Sequence, residues 1–101
     1  MDQIGFYRYL IGQNVSKKVC SDHIARLKRI EKSIEFCDLD DEYEKDKCES
    51  LLKLLSKKNN DEELKKRIIG HLPVGKYTMN TFKYSLRKYI NYLEIITSNK
   101  K

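Results

Sequence analysis

Apolar side chains in this chain recur at spacings of three and four, the period of a helix rather than of a strand. The clearest stretch is residues 16–34, where Val19, Cys20, His23, Leu27, Ile30 and Ile34 fall on one face at about 100° per residue. Ser16, directly after Val15, is a good N-cap. Ser21, Ala25, Lys28, Arg29 and Lys32 take the opposite face, and the small residues among them leave room for a close neighbour. A second stripe follows Thr78, a candidate N-cap, through Met79, Phe82, Leu86, Tyr89, Ile90, Leu93 and Ile96. Its far side carries Asn80, Lys83, Tyr84, Arg87, Lys88 and Asn91.

Three weaker elements complete the reading. Residues 2–12 hold Ile4, Phe6, Tyr7, Tyr9, Leu10 and Ile11, a short helix apolar on most sides that ends at Gly12-Gln13-Asn14. Residues 37–41 read as a loop leading into a helix whose acidic start suits the helix dipole. Its stripe of Cys48, Leu51, Leu52 and Leu55 ends near Lys57-Lys58-Asn59-Asn60, with Leu54 as a surplus apolar residue available for docking. Residues 61–69 predict a short helix through Leu64, Ile68 and Ile69, stopped by Gly70, Pro73 and Gly75, with His71 in the loop. The tail, 97–101, is polar and expected to fray. The expected fold class is all-α, a compact bundle of four to five helices forming one domain over 1–101.

Length and composition then narrow the function. A chain of 101 residues excludes a multidomain enzyme and an α/β barrel of roughly 250 residues. Cys20, Cys37 and Cys48 are odd in number and contain no Cys-x-x-Cys pair, which points to reduced thiols in the cytoplasm. The first ten residues lack a cationic start followed by an apolar run, so no secretory signal is expected. No apolar stretch approaches the roughly 20 residues that span a bilayer, so no membrane partner is expected.

The net charge of +6 conceals a sharper division. Residues 16–32 carry a net +4 and residues 70–101 a net +5, whereas residues 35–50, with eight acids and two lysines, carry −6. Both strong amphipathic helices are therefore basic, and the connection after the first is acidic. Lys and Arg neutralise phosphates, Asn pairs with base edges and Tyr donates to phosphate. If the two basic faces are neighbours, they form a positive saddle suited to duplex DNA. The candidate DNA-contact residues are Lys17, Lys18, Lys28, Arg29, Lys32, Lys76, Asn80, Lys83, Tyr84, Arg87 and Lys88.

The stretch 15–34, opening V-S-K-K-V-C-S-D-H-I-A-R-L-K-R-I, resembles the first long helix of the core-binding domain of tyrosine recombinases, the phage integrase family. Val15, Ser16, Leu27 and Ile30 fit the pattern, while Val19 stands where Thr is usual and His23 where Tyr is common. The stretch T-M-N-T-F-K-Y-S-L-R-K-Y at 78–89 resembles the last helix of that domain through Thr78, Met79, Asn80, Ser85, Leu86, Arg87 and Tyr89. The middle of the chain is longer than in the family and is not matched. The resemblance implies a SAM-like domain that clamps one side of DNA during recombination or integration, while a separate C-terminal domain cuts. It also implies phosphate contacts for Lys28, Arg29, Lys83 and Arg87. None of the seven tyrosines lies in the family's catalytic setting, so this chain is not expected to be an enzyme.

Other constellations are weaker. Cys20 and His23 with Cys37 and Cys48 match no zinc spacing, and Cys20 and His23 belong to an apolar face. A Cys–His nucleophile pair lacks an orienting third residue and an oxyanion hole. Asp38, Asp40 and Glu42 lack the Gly and terminal Glu of a calcium loop, which leaves a solvated acidic face as the better reading. No cofactor or metal is implied. The alternative function is a small helical protein-interaction module with the acidic segment as its contact, through Asp40 and Glu42. Such a module would be a mobile-element regulator or inhibitor of a nucleic-acid enzyme. An accessory N-terminal domain of a restriction-type nuclease is the other context. The expected partners are double-stranded DNA and a catalytic domain or partner protein outside this chain.

Overall fold

A computed structural model of the protein describes residues 1–55, 66–70 and 79–98. These hold five helices: α1 (Gln3–Gly12), α2 (Lys17–Ser33), α3 (Leu39–Asp46), α4 (Glu49–Leu54) and α5 (Met79–Ser98). An antiparallel bridge joins Ile34 to Ile68, and the described residues form no strand. The chain is an all-α bundle. Its radius of gyration, 13.5 Å, is close to the roughly 13 Å of a packed domain this long. No described helix is long and apolar enough to cross a membrane.

Local chemistry sets most helix ends. Asp2 caps α1 by accepting from the Gly5 amide at 3.1 Å, and Asn14, in the left-handed region at φ 63°, turns the chain out of it. Ser16 caps α2 by accepting from the Val19 amide at 3.3 Å. Asp38 caps α3 by accepting from the Asp40 amide at 2.9 Å, and Asp40, Asp41 and Glu42 place their charges in the first turn.

Helices α1, α2 and α5 pack on one another to form the core. Phe6, Leu10, Leu27, Ile30, Leu86 and Tyr89 have no solvent exposure, and each such side chain contributes about 1.5–3 kcal/mol by burial. The Phe6 ring meets Tyr89 edge-on, with centroids 5.1 Å apart. Along the α2–α5 seam, His23 and Arg26 lie against Ser85, and Arg29 against Phe82, so the two helices run antiparallel.

Four expectations need correction. Val19 stays 40% exposed, and Ile24 is in the core instead, because α1 packs along the Ile24 side of α2 and turns the buried arc that way. The acidic helix does not run on into the leucine stripe: Lys47 and Cys48 are both left-handed (φ 56° and 65°) and divide it into α3 and α4. Two non-glycine residues in that region cost about 1–2 kcal/mol each. The turn is offset by bringing Cys48, Leu51, Leu54 and Leu55 into the interior, all at 0% exposure. Leu54 is therefore core rather than a docking point, and the half-buried leucine is Leu52.

The fourth correction concerns residues 66–69, expected as the end of a helix. They lie beside the exit of α2, with the Glu35 amide donating to the Arg67 carbonyl at 2.7 Å and the Ile69 amide to Ser33 at 2.8 Å. Gly70 fits there because a Cβ would come within 3.0 Å of the Ser33 Cα. The first part of that expected helix (61–65), His71, Lys76, the Thr78 cap and residues 99–101 lie outside the described residues. Of the tail expected to fray, residues 97 and 98 continue α5.

Candidate nucleic-acid interface

The α2–α5 seam is held by a polar clamp inside an apolar contact. His23 is 2% exposed, and its Nδ1 lies 2.7 Å from the hydroxyl of the fully buried Ser85. Arg26 donates to the same oxygen at 3.3 Å. Burial, then the nearby Arg26 and Lys88 charges, hold the His23 pKa below the usual histidine value, with Asp22 opposing. The neutral ring can then accept the Ser85 proton at Nδ1. Ser85 has no exposed surface at which a substrate could meet it, so the pair is a helix clamp rather than a nucleophile and base.

The clamp sets the surrounding charges. Tyr84 is 54% exposed with its ring centroid 5.5 Å from that of His23. The Lys88 ammonium sits 5.6 Å from the centre of the Tyr84 ring, and the Arg29 guanidinium 5.6 Å from that of Phe82. Arg29, Arg26, Tyr84 and Lys88 thus form one strip along the seam. On α5, Asn80 and Arg87 are exposed and Lys83 is half-buried.

The structure therefore brings together only part of the sequence-predicted set. Tyr84 and Lys88 meet, and Arg29 lies along the same seam over Phe82. Lys28, the next residue round the helix from Arg29, turns to the other side of α2 and lines a shallow groove with Gln3, Tyr7, Ser21, Ile24 and Ala25. Lys32 is exposed one turn further on, and Lys17 and Lys18 are exposed in the first turn of α2. The basic face of α2 is thus a broad arc, with Lys28 and Arg29 about 100° apart and the exposed Lys32 between them. Sequence reasoning missed Arg26. Its signal was the spacing of 23, 26 and 29, which marks the flank of the apolar stripe nearest a neighbouring helix.

The acidic segment is not simply a solvated face. Glu42 is 3% exposed and accepts from Arg67 at 2.5 Å, while Asp40 accepts from Tyr89 at 2.5 Å. The Tyr89 oxygen accepts in turn from the Asp2 amide at 2.6 Å, and Tyr92 donates to the Asp2 carboxylate. Burial and the bond to Asp40 push the Tyr89 pKa far up; burial and the bond to Asp2 push that of Tyr92 to about 12. The Tyr92 and Gly5 hydrogen bonds hold Asp2 below the usual carboxylate value. Glu31 accepts from the Leu39 amide at 3.0 Å and lies 3.3 Å from the Met1 amine. Of the two acids expected to meet a partner, Glu42 is buried in the fold, whereas Asp40 bonds Tyr89 and keeps about half of its side chain exposed.

The three thiols are free cysteines, two of them fully buried. Burial, followed by the nearby Glu42 carboxylate, pushes Cys37 and Cys48 to about 12. Cys20 is buried and donates to the Val15 carbonyl at 3.6 Å rather than to His23. Among the described residues no three His, Cys, Asp or Glu side chains are placed to hold a metal ion. No protein-family model matches the chain, and no curated protein or solved structure matches it either.

Proposed function

We propose that this chain is a non-catalytic helical module of the cytoplasm that binds the backbone of duplex DNA along the α2–α5 seam. The observation that carries the reading is a row of cations along the seam, with Arg29 over Phe82, Arg26 on Ser85 and Lys88 over the exposed Tyr84. Three cations on two antiparallel helices give the seam a positive ridge, and the exposed phenol beside Lys88 supplies a phosphate donor. The recombinase core-binding resemblance supports the same reading through Arg29 and Arg87. Under it the chain clamps DNA, while cutting and joining belong to a catalytic domain outside this sequence.

Fluorescence anisotropy with a labelled duplex tests the reading. If Arg26, Arg29, Arg87 and Lys88 neutralise about four phosphates, log K falls with log salt at a slope of roughly −3.6. Affinity then drops roughly 150-fold between about 50 and 200 mM salt. Arg26→Gln with Lys88→Gln keeps a donor for Ser85 and lowers the slope by about 1.8. No binding at low salt, a salt-insensitive affinity, or an unchanged slope in the double variant refutes it.

A further inference from the structure

The C-terminal half of α5 and the helix α3 leave an open groove of about 1050 Å³ between them. Its apolar floor comes from Tyr43, Leu93 and Ile96. Among its described lining residues are five carboxylates and two lysines, in a chain whose net charge is +6. Glu94 lies ten residues, roughly 15 Å of helix, beyond Tyr84, so the groove is separate from the basic strip.

Asp46, one of these carboxylates, is held in place by Ser50. Its Oδ2 accepts from the Ser50 amide at 3.1 Å and from the Ser50 hydroxyl at 2.6 Å. Its Oδ1 is covered from solvent and has no hydrogen-bond partner within the described residues. Asp46 is itself partly exposed, so what it offers an incoming cation is its charge at the groove rather than that covered oxygen.

We propose that this groove docks a cationic amphipathic helix of a partner protein. Apolar side chains of that helix would cover Tyr43, Leu93 and Ile96, while its Lys or Arg residues would meet Glu44, Glu94 and Asp46. Charge decides the class of occupant. Nucleic acid and acidic peptides are repelled by the rim, whereas a basic helix is attracted and its apolar stripe matches the floor. The proposal stands apart from the DNA reading, since the two surfaces share no residue.

The probe is a fluorescein-labelled helical peptide of about 14 residues, with leucines at spacings of three and four and lysines elsewhere. Its counterpart carries glutamates in place of lysines. The lysine peptide should bind and shift the amide NMR signals of Tyr43, Leu93 and Ile96, and the glutamate peptide should not. Glu44 and Glu94 are exposed, so Glu44→Lys with Glu94→Lys should keep the helical circular dichroism. That double variant should weaken lysine-peptide binding by roughly tenfold or more. Arg26→Gln with Lys88→Gln should leave this binding unchanged while it weakens DNA binding. Failure of the lysine peptide to bind, equal binding of the glutamate peptide, or indifference to the charge reversals overturns the proposal. A concentration-dependent dimer that Glu44→Lys with Glu94→Lys dissolves would assign the groove to a second copy and also overturn it.

Discussion

Removing Arg67 should uncouple two segments that are distant in sequence. Its guanidinium donates to Glu42 at 2.5 Å and to the Glu35 carbonyl at 3.2 Å, which ties residues 66–70 to α3 and to the exit of α2. Glu42 is 3% exposed and the Arg67 side chain 26%, so the pair is only partly screened. Arg67→Met keeps most of the stem and strands the carboxylate. Breaking a buried pair costs about 3–5 kcal/mol, and a hydrogen bond to a charge about 1.5–3. With a quarter of Arg67 in water, we expect a loss of about 2–3 kcal/mol. A domain of this size holds about 5–15 kcal/mol in total, so the variant remains folded. Its melting temperature should fall by roughly 10–20 °C.

Glu42→Met with Arg67→Met removes both charges and should return to within about 1 kcal/mol of the parent, because an apolar pair leaves no uncompensated charge. Urea unfolding followed by circular dichroism measures both variants. If the single variant costs under about 0.5 kcal/mol, or the double variant costs as much as the single, the pair does not bear the stability assigned to it.

Other predictions follow from the same contacts. His23 has a folded pKa below its unfolded value of about 6.5, so its contribution is fully present above that value. It is lost as pH falls through the folded pKa. His23→Gln should flatten the melting temperature between about pH 7 and 5, and an unchanged slope refutes this. Tyr92 has a raised pKa of about 12, so its contribution is present below about pH 10 and lost as pH rises toward 12. Phenolate absorbance of the folded protein should show a late step near pH 12 that Tyr92→Phe removes, and a Tyr92 step near pH 10 refutes this. In Gly5→Ala the new Cβ would fall 2.0 Å from the Tyr92 oxygen and 2.2 Å from Asp2. It should cost about 1–3 kcal/mol despite alanine's better helix propensity, and a melt at or above the parent's refutes this.

Much of the fold was legible because each helix carries its own local instructions. Ser16 as the α2 cap and the turn after Gly12 follow from side-chain chemistry within four residues. The apolar stripe of α5 needs only the helical period, and Met79, Phe82, Leu86, Tyr89, Ile90 and Leu93 are buried as that period requires. The break at Lys47-Cys48 was not legible. Neither residue favours the left-handed region, and the turn exists because burying Leu51 and Leu54 outweighs its strain. Nor was Glu42 legible, since its partner Arg67 lies 25 residues away and no local pattern joins them.

The candidate interface divides the same way. The sequence by itself determined that α2 and α5 are basic and amphipathic and that Ser16 caps α2, since charge, period and a local cap are properties of each segment. Only the tertiary structure decided which bases share a surface. The antiparallel packing that sets His23 on Ser85 draws Arg26, Arg29 and Lys88 to one seam and turns Lys28 toward α1. A helix presents every direction around its axis, and only its neighbours determine which directions remain open and which meet.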